Sequence, residues 1–332
     1  MQYSIIIPVY NRPQEMEELL QSLSLQTENN FEVVVVEDGS KDTALSQVEK
    51  YRSEINIHYV TKPNTGRSDT RNVGIANAKG EYFLFFDSDC ILPSEYIATL
   101  NKRLREHYVD CFGGPDNALD TFTSTQKAVN YAMTSFLTTG GIRGSRSVRM
   151  EKFNPRSFNM GFSRAVYEKV GGFKDMLGED IDLSIRIHAA GFSTALLQDV
   201  YVYHKRRLSL KRFYRQVFNF GKGRVILYKL YPHSLKIVHC LPAMFVTGEI
   251  GLIALSIFHS LYWLIPAGVY ISALFIDALC RTRSIAIAGK SIITSLIQLN
   301  GYGLGFWSAF WDKIIMKRPL EQGAALTKMY NK

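Results

Sequence analysis

The sequence predicts an α/β fold with a mostly parallel central sheet over residues 1–204, followed by a helical region suited to a membrane. Three features of the sequence point there. Short β-rich apolar runs alternate with amphipathic stretches up to about Tyr203. Residues 205–236 carry positive charge with no Asp or Glu. From Ile237 to Cys280 the chain is almost continuously apolar. The 332 residues allow about two domains of roughly 150 residues, each able to bury a core. With 46% hydrophobic, 21% charged and 12% aromatic residues and only 10 prolines, collagen-like, low-complexity and disordered classes are excluded.

Strands are expected at Tyr3–Ile7, Glu32–Glu37, Asn56–Val60, Tyr82–Phe86, Cys111–Gly113 and Val200–His204. Helical periodicity covers Gln14–Leu25, Thr43–Arg52, Ser68–Ala78 and Ser94–Arg105; Asp42 opens the second, and Pro93-Ser94 with Glu95 opens the fourth. In such sheets ligands lie beyond the carboxyl ends of the strands, so the residues just after each apolar run are the ones expected to carry chemistry.

The basic stretch contains Lys205, Arg206, Arg207, Lys211, Arg212, Arg215, Lys222, Arg224, Lys229 and Lys236, with Phe213, Tyr214, Phe218, Phe220, Tyr228 and Tyr231 interleaved. A net charge of +9 attracts nucleic acid, anionic lipid or phosphorylated small molecules. Because this stretch directly precedes the apolar run, it reads as a juxtamembrane segment bound to membrane lipids, and no nucleic-acid partner is expected. Residues 237–280 read as a transmembrane hairpin turning near His259-Ser260, interrupted by His239, Glu249 and Asp277 and by Pro242 and Pro266. Arg281, Arg283 and Lys290 place both hairpin ends on the cytoplasmic side. In residues 281–332, Lys290, Gln298, Asn300 and the glycines Gly301, Gly303 and Gly305 weaken a further span, so an interfacial or re-entrant helix with a basic tail is expected. Asp277 and Glu249 would be costly in lipid.

Cys90, Cys111, Cys240 and Cys280 form no CxxC pair, which argues against a zinc ribbon or a disulfide framework and fits a reducing compartment. Met1-Gln2-Tyr3-Ser4 before Ile5 lacks the basic leader and cleavage site of an export signal. The expected location is thus the cytoplasmic (inner) membrane, with the α/β part in the cytoplasm.

The expected strand ends carry carboxylates: Glu37-Asp38-Gly39-Ser40 after the second, and Asp87-Ser88-Asp89 after the fourth. Asp87 and Asp89 could share one hard cation, Mg²⁺ or Mn²⁺, or divide between a cation and a sugar hydroxyl. Glu179-Asp180 opens a helical stretch, where helix capping alone also favours acids. Lys222 and Arg224, between glycines in Phe220-Gly221-Lys222-Gly223-Arg224, could contact phosphate or form a lipid-facing basic turn.

The ordered set Ile5-Ile6-Ile7-Pro8-Val9-Tyr10-Asn11, Val36-Glu37-Asp38-Gly39-Ser40, Asn64-Thr65-Gly66, Arg71-Asn72-Val73-Gly74-Ile75, Gly80-Glu81-Tyr82 and Asp87-Ser88-Asp89 resembles the family 2 glycosyltransferases of GT-A (nucleotide-diphospho-sugar transferase) fold. The resemblance continues through Asn159-Met160-Gly161-Phe162, Gly171-Gly172-Phe173 and Gly178-Glu179-Asp180-Ile181-Asp182, and covers about Tyr3 to His204. It implies an inverting transfer of a sugar from a nucleotide-diphosphate donor of UDP type. Pro8, Val9 and Tyr10 then lie beside the nucleobase, Asp38 accepts from its ring nitrogen, and Arg71 approaches base and phosphates. Asp38 as a turn cap and Arg71 on a solvated helix face are the bland alternatives. Asp87 is implied at the ribose or metal, Asp89 and His204 at a divalent cation (Mn²⁺ or Mg²⁺), Asp180 as general base, and Glu179 as orienting acceptor or donor. The processive Gln-x-x-Arg-Trp motif has no counterpart at Arg215-Gln216-Val217-Phe218-Asn219, which implies addition of one sugar. The basic segment and hairpin suggest a lipid-linked or cell-surface glycan acceptor, and Tyr131–Arg149 is the expected acceptor or donor-sugar loop. Two alternatives stay open at this point: a membrane-tethered sugar-nucleotide-binding protein without turnover, and a nucleotidyltransferase, although Val9-Tyr10-Asn11-Arg12 offers no glycine-rich phosphate loop.

Overall fold

A computed structural model describes residues 1–117, 123–140, 153–204 and 209–320. They divide into two compact units, one of residues 1–117 with 153–204, the other of 123–140 with 209–320. The first unit begins with β1 (Tyr3–Val9), α1 (Pro13–Ser24), β2 (Phe31–Asp38), α2 (Leu45–Tyr51), β3 (Ile57–Lys62), α3 (Arg67–Asn77) and β4 (Tyr82–Phe86). It continues with β5 (Cys90–Ile91), α4 (Tyr96–Glu106), β6 (Cys111–Gly113) and β7 (Asp116–Asn117). The chain next contributes α5 (Ser124–Thr134) and α6 (Phe136–Thr139) to the second unit. It then returns as β8 (Asn159–Ser163), α7 (Arg164–Val170), α8 (Glu179–Ala189), β9 (Thr194–Leu196) and β10 (Val202–His204).

The central sheet runs β3-β2-β1-β4-β8-β6-β9. β1 pairs in parallel with both β2 and β4, so the strand order reverses beside β1 and a crevice opens at the carboxyl ends of β1, β2 and β4. Alternation along each strand sends side chains to two separate cores. Tyr3, Ile5, Ile7, Val33, Val35, Tyr82, Leu84 and Phe86 pack under α1 and α4. Ile6, Val34, Val36, Phe83 and Phe85 pack under α3, α7 and α8. Each such side chain, fully buried, contributes roughly 1.5–3 kcal/mol. These two cores hold the strand ends, and hence the carboxylates beyond them, in fixed register.

Two expectations about strands are corrected. β8 is antiparallel to both β4 and β6, a strand that the Asn159-Met160-Gly161-Phe162 motif did not announce. The segment read as Val200–His204 begins at Val202, and it joins a separate three-stranded sheet, β5-β10-β7, instead of the central one.

The second unit is helical: α5, α6, α9 (Leu210–Leu230), α10 (Ile237–Phe258), α11 (Ile265–Thr282) and α12 (Ile285–Ala309), with a short 3₁₀ turn at Leu261–Leu264 before α11. The segment expected to be interfacial or re-entrant is one continuous helix of 25 residues, α12. Its glycines, expected to weaken a further membrane span, also admit neighbours: a Cβ on Gly305 would stand 2.0 Å from the Phe218 carbonyl oxygen of α9, and one on Gly303 2.3 Å from that of Pro242 in α10. The Gly221-Lys222-Gly223-Arg224 stretch is likewise no loop. It lies inside α9, where Gly221 is buried with Tyr302 and Phe306 backbone atoms against it, so its lack of a side chain serves helix packing, and Lys222 and Arg224 project from a regular helix. Asp277 is anchored by the Tyr131 hydroxyl at 2.7 Å, the Ser135 hydroxyl at 3.1 Å and Arg281 Nε at 2.9 Å, which ties α5 to α11. Of the expected acceptor loop, residues 141–149 lie outside the described residues, as do residues 205–208 of the basic segment and 321–332 of the tail.

Candidate active site

β1 delivers Pro8 and Val9 into register with Val36 and Glu37 of β2, and Tyr10 follows, exposed. Asn11 then takes a left-handed conformation (φ 52°), which asparagine tolerates. Its amide donates to the Ser40 hydroxyl at 2.7 Å, and its side-chain oxygen accepts from the Lys41 amide at 2.8 Å. The turns after β1 and β2 are thus one braced unit. Gly39 (φ 69°) is obligatory there, since a Cβ would lie 2.6 Å from the Asn64 nitrogen.

Asp38 is buried at the end of β2. It accepts the amides of Thr65 at 3.0 Å and Gly66 at 3.1 Å and pairs with Lys62 at 2.5 Å. The carboxylate therefore holds the loop that leads into α3, a capping role extended from its own turn to a neighbouring one. Of roughly four lone-pair positions on a carboxylate these contacts leave room on Oδ2. Arg71 is not on a solvated face. Its side chain is 2% exposed, lies over the Phe173 ring at 5.3 Å, and reaches Asp87 Oδ1 at 3.0 Å and Glu179 Oε1 at 3.2 Å. Arg67 Nε adds a second cation to Glu179 at 3.0 Å. One guanidinium thus joins the end of β4 to the start of α8.

Asp89 is gripped from two sides, by Arg12 Nη1 on Oδ2 at 2.7 Å and His204 Nε2 on Oδ1 at 2.9 Å. The histidine arrives because β10 runs antiparallel to β5 with His204 opposite Cys90, and its ring stacks on Phe158. Burial by itself would push the Asp89 carboxyl up; the charges of His204 and Arg12 outweigh it and hold the carboxyl well below the usual carboxylate range. The Asp89, Cys90 and His204 donor atoms lie within 4.8 Å of one another. Burial pushes the Cys90 thiol well up, and its sulfur donates toward the Phe158 carbonyl at 3.5 Å. The remaining donors, carboxylate and imidazole, fit a hard to borderline ion such as Mn²⁺ or Mg²⁺.

Three acids open α8 behind the left-handed Gly178 (φ 83°), and they differ in access. The Glu179 side chain is 3% exposed and paired with Arg71 and Arg67. That of Asp182 is 0% exposed and bound by Arg186 at 2.8 Å and Lys174 at 3.1 Å. Asp180 is 16% exposed; among the described residues its ion-pair partner is Arg156 at 3.4 Å, and its Oδ1 accepts the Ile181 amide at 2.8 Å. Asp180 is thus the acid of the three best placed to meet a substrate proton. Sequence reasoning missed Arg12, Arg67 and Arg156; only Arg12 had a signal, since it directly follows the Tyr10-Asn11 strand-end turn.

The profile of glycosyl transferase family 2 matches residues 4–171, half of the chain. Among curated proteins, glycosyltransferase GlyA of Streptococcus pneumoniae is 39% identical over 109 residues, 32% of this chain and 16% of its own length. The poly(ribitol-phosphate) beta-N-acetylglucosaminyltransferase TarS of Staphylococcus aureus is 39% identical over 114 residues, 33% of this chain and 20% of its own length. The match therefore spans a fifth or less of these relatives. Among solved structures, the mannosyltransferase PcManGT of Pyrobaculum calidifontis, in complex with GDP-Man and Mn²⁺, superposes with a TM-score of 0.65 at 18% identity, over 94% of this chain and 88% of its own. S. aureus TarS 1–349 gives 0.50 at 20% identity over 90% of each chain. At such identities these superpositions show the fold alone, GT-A, and the family model over half of the chain shows the family: the chain belongs to glycosyl transferase family 2.

Proposed function

We propose that this glycosyltransferase moves one sugar, with inversion, from a nucleoside-diphosphate donor of UDP type to a lipid-linked or surface-glycan acceptor at the cytoplasmic face of a membrane. The carrying observation is the chain of contacts from Asp87 through Arg71 to Glu179, which links the donor-side strand end to the helix that begins with Asp180. Pro8, Val9 and Tyr10 flank the nucleobase, and Asp38 uses its remaining Oδ2 position on the ring nitrogen. Asp87 meets the ribose. Asp89 and His204 would hold the divalent ion, which when bound supplies Lewis-acid neutralisation of the departing diphosphate. PcManGT, whose structure contains GDP-Man and Mn²⁺, supports a sugar nucleotide and a divalent ion as the pair to test. Asp180 takes the acceptor hydroxyl proton, the acceptor oxygen attacks the anomeric carbon from the face opposite the diphosphate, and the bond to the diphosphate oxygen breaks. Glu179, engaged by two arginines, orients this arrangement from behind and is not in contact with the reacting atoms. Membership of the glycosyltransferase family supports this reading over a nucleotidyltransferase.

The membrane part of the reading rests on Ile237–Phe258 and Leu261–Thr282, each 22 residues and apolar enough to cross a bilayer. At 1.5 Å per residue each reaches about 33 Å, the thickness of a hydrocarbon core. Within α9, Lys211, Arg215, Lys222 and Lys229 fall near one line of the helix, a cationic stripe of the kind that settles on anionic lipid. The test is a panel of radiolabelled sugar nucleotides incubated with the protein, membranes and Mn²⁺. Label entering the lipid or glycan fraction from one donor is the expected result; no incorporation from any donor overturns the reading.

A further inference from the structure

Both oxygens of Asp89 are already engaged, Oδ2 by Arg12 at 2.7 Å and Oδ1 by His204 at 2.9 Å. Each oxygen keeps a further lone-pair position, so a divalent ion can join this carboxylate, but it does so beside the positive charge of Arg12. His204 is held in place: it ends β10, its side chain is 11% exposed, and its ring is stacked on Phe158 at 5.4 Å between centroids. Arg12 is not. Its side chain is 42% exposed, and it stands in the short connection between β1 and α1. The backbone there is pinned by Asn11, through its contacts to Ser40, Lys41 and Asp42, so any movement of Arg12 is confined to the side chain.

We infer that Arg12 is a resident counter-cation that competes with the divalent ion for the charge of Asp89 and so weakens ion binding there. This rests on the reading of Asp89 and His204 as metal ligands. Arg12 also lies in the field of Asp87 and Glu15, so its charge compensates an acidic rim that would otherwise repel the diphosphate of the donor. Competition of this kind keeps the protein's intrinsic ion affinity low and makes ion binding depend on the arriving diphosphate, which supplies further oxygen ligands.

The test is a Mn²⁺ titration of the purified full chain without nucleotide, with free ion read by electron paramagnetic resonance. Arg12→Gln should bind Mn²⁺ roughly two- to five-fold tighter, the scale of losing one partly exposed ion pair. Arg12→Met, which keeps the apolar stem, repeats the measurement, and melting curves check that each variant is folded. Lys41→Gln, which removes an exposed charge from the neighbouring turn, should match wild type, and Asp89→Asn should lose the site. Unchanged or weaker binding in both Arg12 variants, with the site lost in Asp89→Asn, overturns the competition and leaves the metal reading standing. Equal tightening in Lys41→Gln overturns it too, by assigning the effect to net charge. Wild-type binding in Asp89→Asn overturns the metal reading and the competition together.

Discussion

Asp180 differs from Glu179 and Asp182 in its partners and not in its chemistry. With the latter two locked by arginine and lysine, Asp180 meets the Ile181 amide at 2.8 Å and Arg156 at 3.4 Å and keeps a side chain open enough to meet an acceptor. General-base action is worth ~10²–10⁴-fold, so Asp180→Asn is expected to lose transfer by that order while donor binding, measured calorimetrically, is retained. Asp89 gives a pH prediction. Its folded carboxyl titrates below the unfolded one, whose pKa is ~3.9. The ion pairs therefore stabilise the fold fully above about pH 4, and that contribution is lost as pH falls toward the folded value. Urea midpoints measured down this range should fall less steeply in Asp89→Asn than in wild type. Asp87, Asp89 and Asp180 were legible as acids at strand and helix ends. What Arg12 and Arg71 do was not legible, because their carboxylate partners lie 77 and 108 residues away in sequence, and only the folded sheet brings them together.

At the scale of elements, the long apolar strands and their crossover helices were readable, since a buried parallel strand needs a run such as Val33-Val34-Val35-Val36. β8 and β9 were not readable: Asn159-Met160-Gly161-Phe162-Ser163 carries a glycine and two polar residues, and its burial is imposed by β4 and β6 on either side. β10 was readable as a strand but not as a member of the second sheet, the pairing that delivers His204. The join between α3 and α8 depends on Arg71 and Glu179, both almost fully buried. Glu179→Ala leaves Arg71 with Asp87 as its carboxylate partner and strips Nη1 of its acceptor, and should lower the stability of this unit by roughly 1–3 kcal/mol, read as a fall in Tm. In the helical unit the contact of α12 with α9 has no space for a methyl group at Gly305. Gly305→Ala should cost ~1–3 kcal/mol through overpacking. Gly289→Ala, where nothing lies within 4 Å of the added carbon, should instead gain about 1 kcal/mol from helix propensity. Melting curves in detergent separate the two.

At the scale of the whole molecule, an acidic rim at the switch point of an α/β sheet is followed in the chain by a basic helix and two helices long enough to cross a bilayer. This order suits the proposed transfer to membrane-borne acceptors, in which one chain would supply both the chemistry and a means of staying near its substrate. The most direct measurement compares label transfer to the lipid or glycan fraction and Mn²⁺-dependent donor binding in wild type, Asp89→Asn and Asp180→Asn. Wild type should transfer only with a divalent ion, Asp89→Asn should lose ion-dependent donor binding, and Asp180→Asn should bind donor yet fail to transfer. Transfer at the wild-type rate by Asp180→Asn, or undiminished by chelation of the ion, would contradict the proposed roles of these carboxylates.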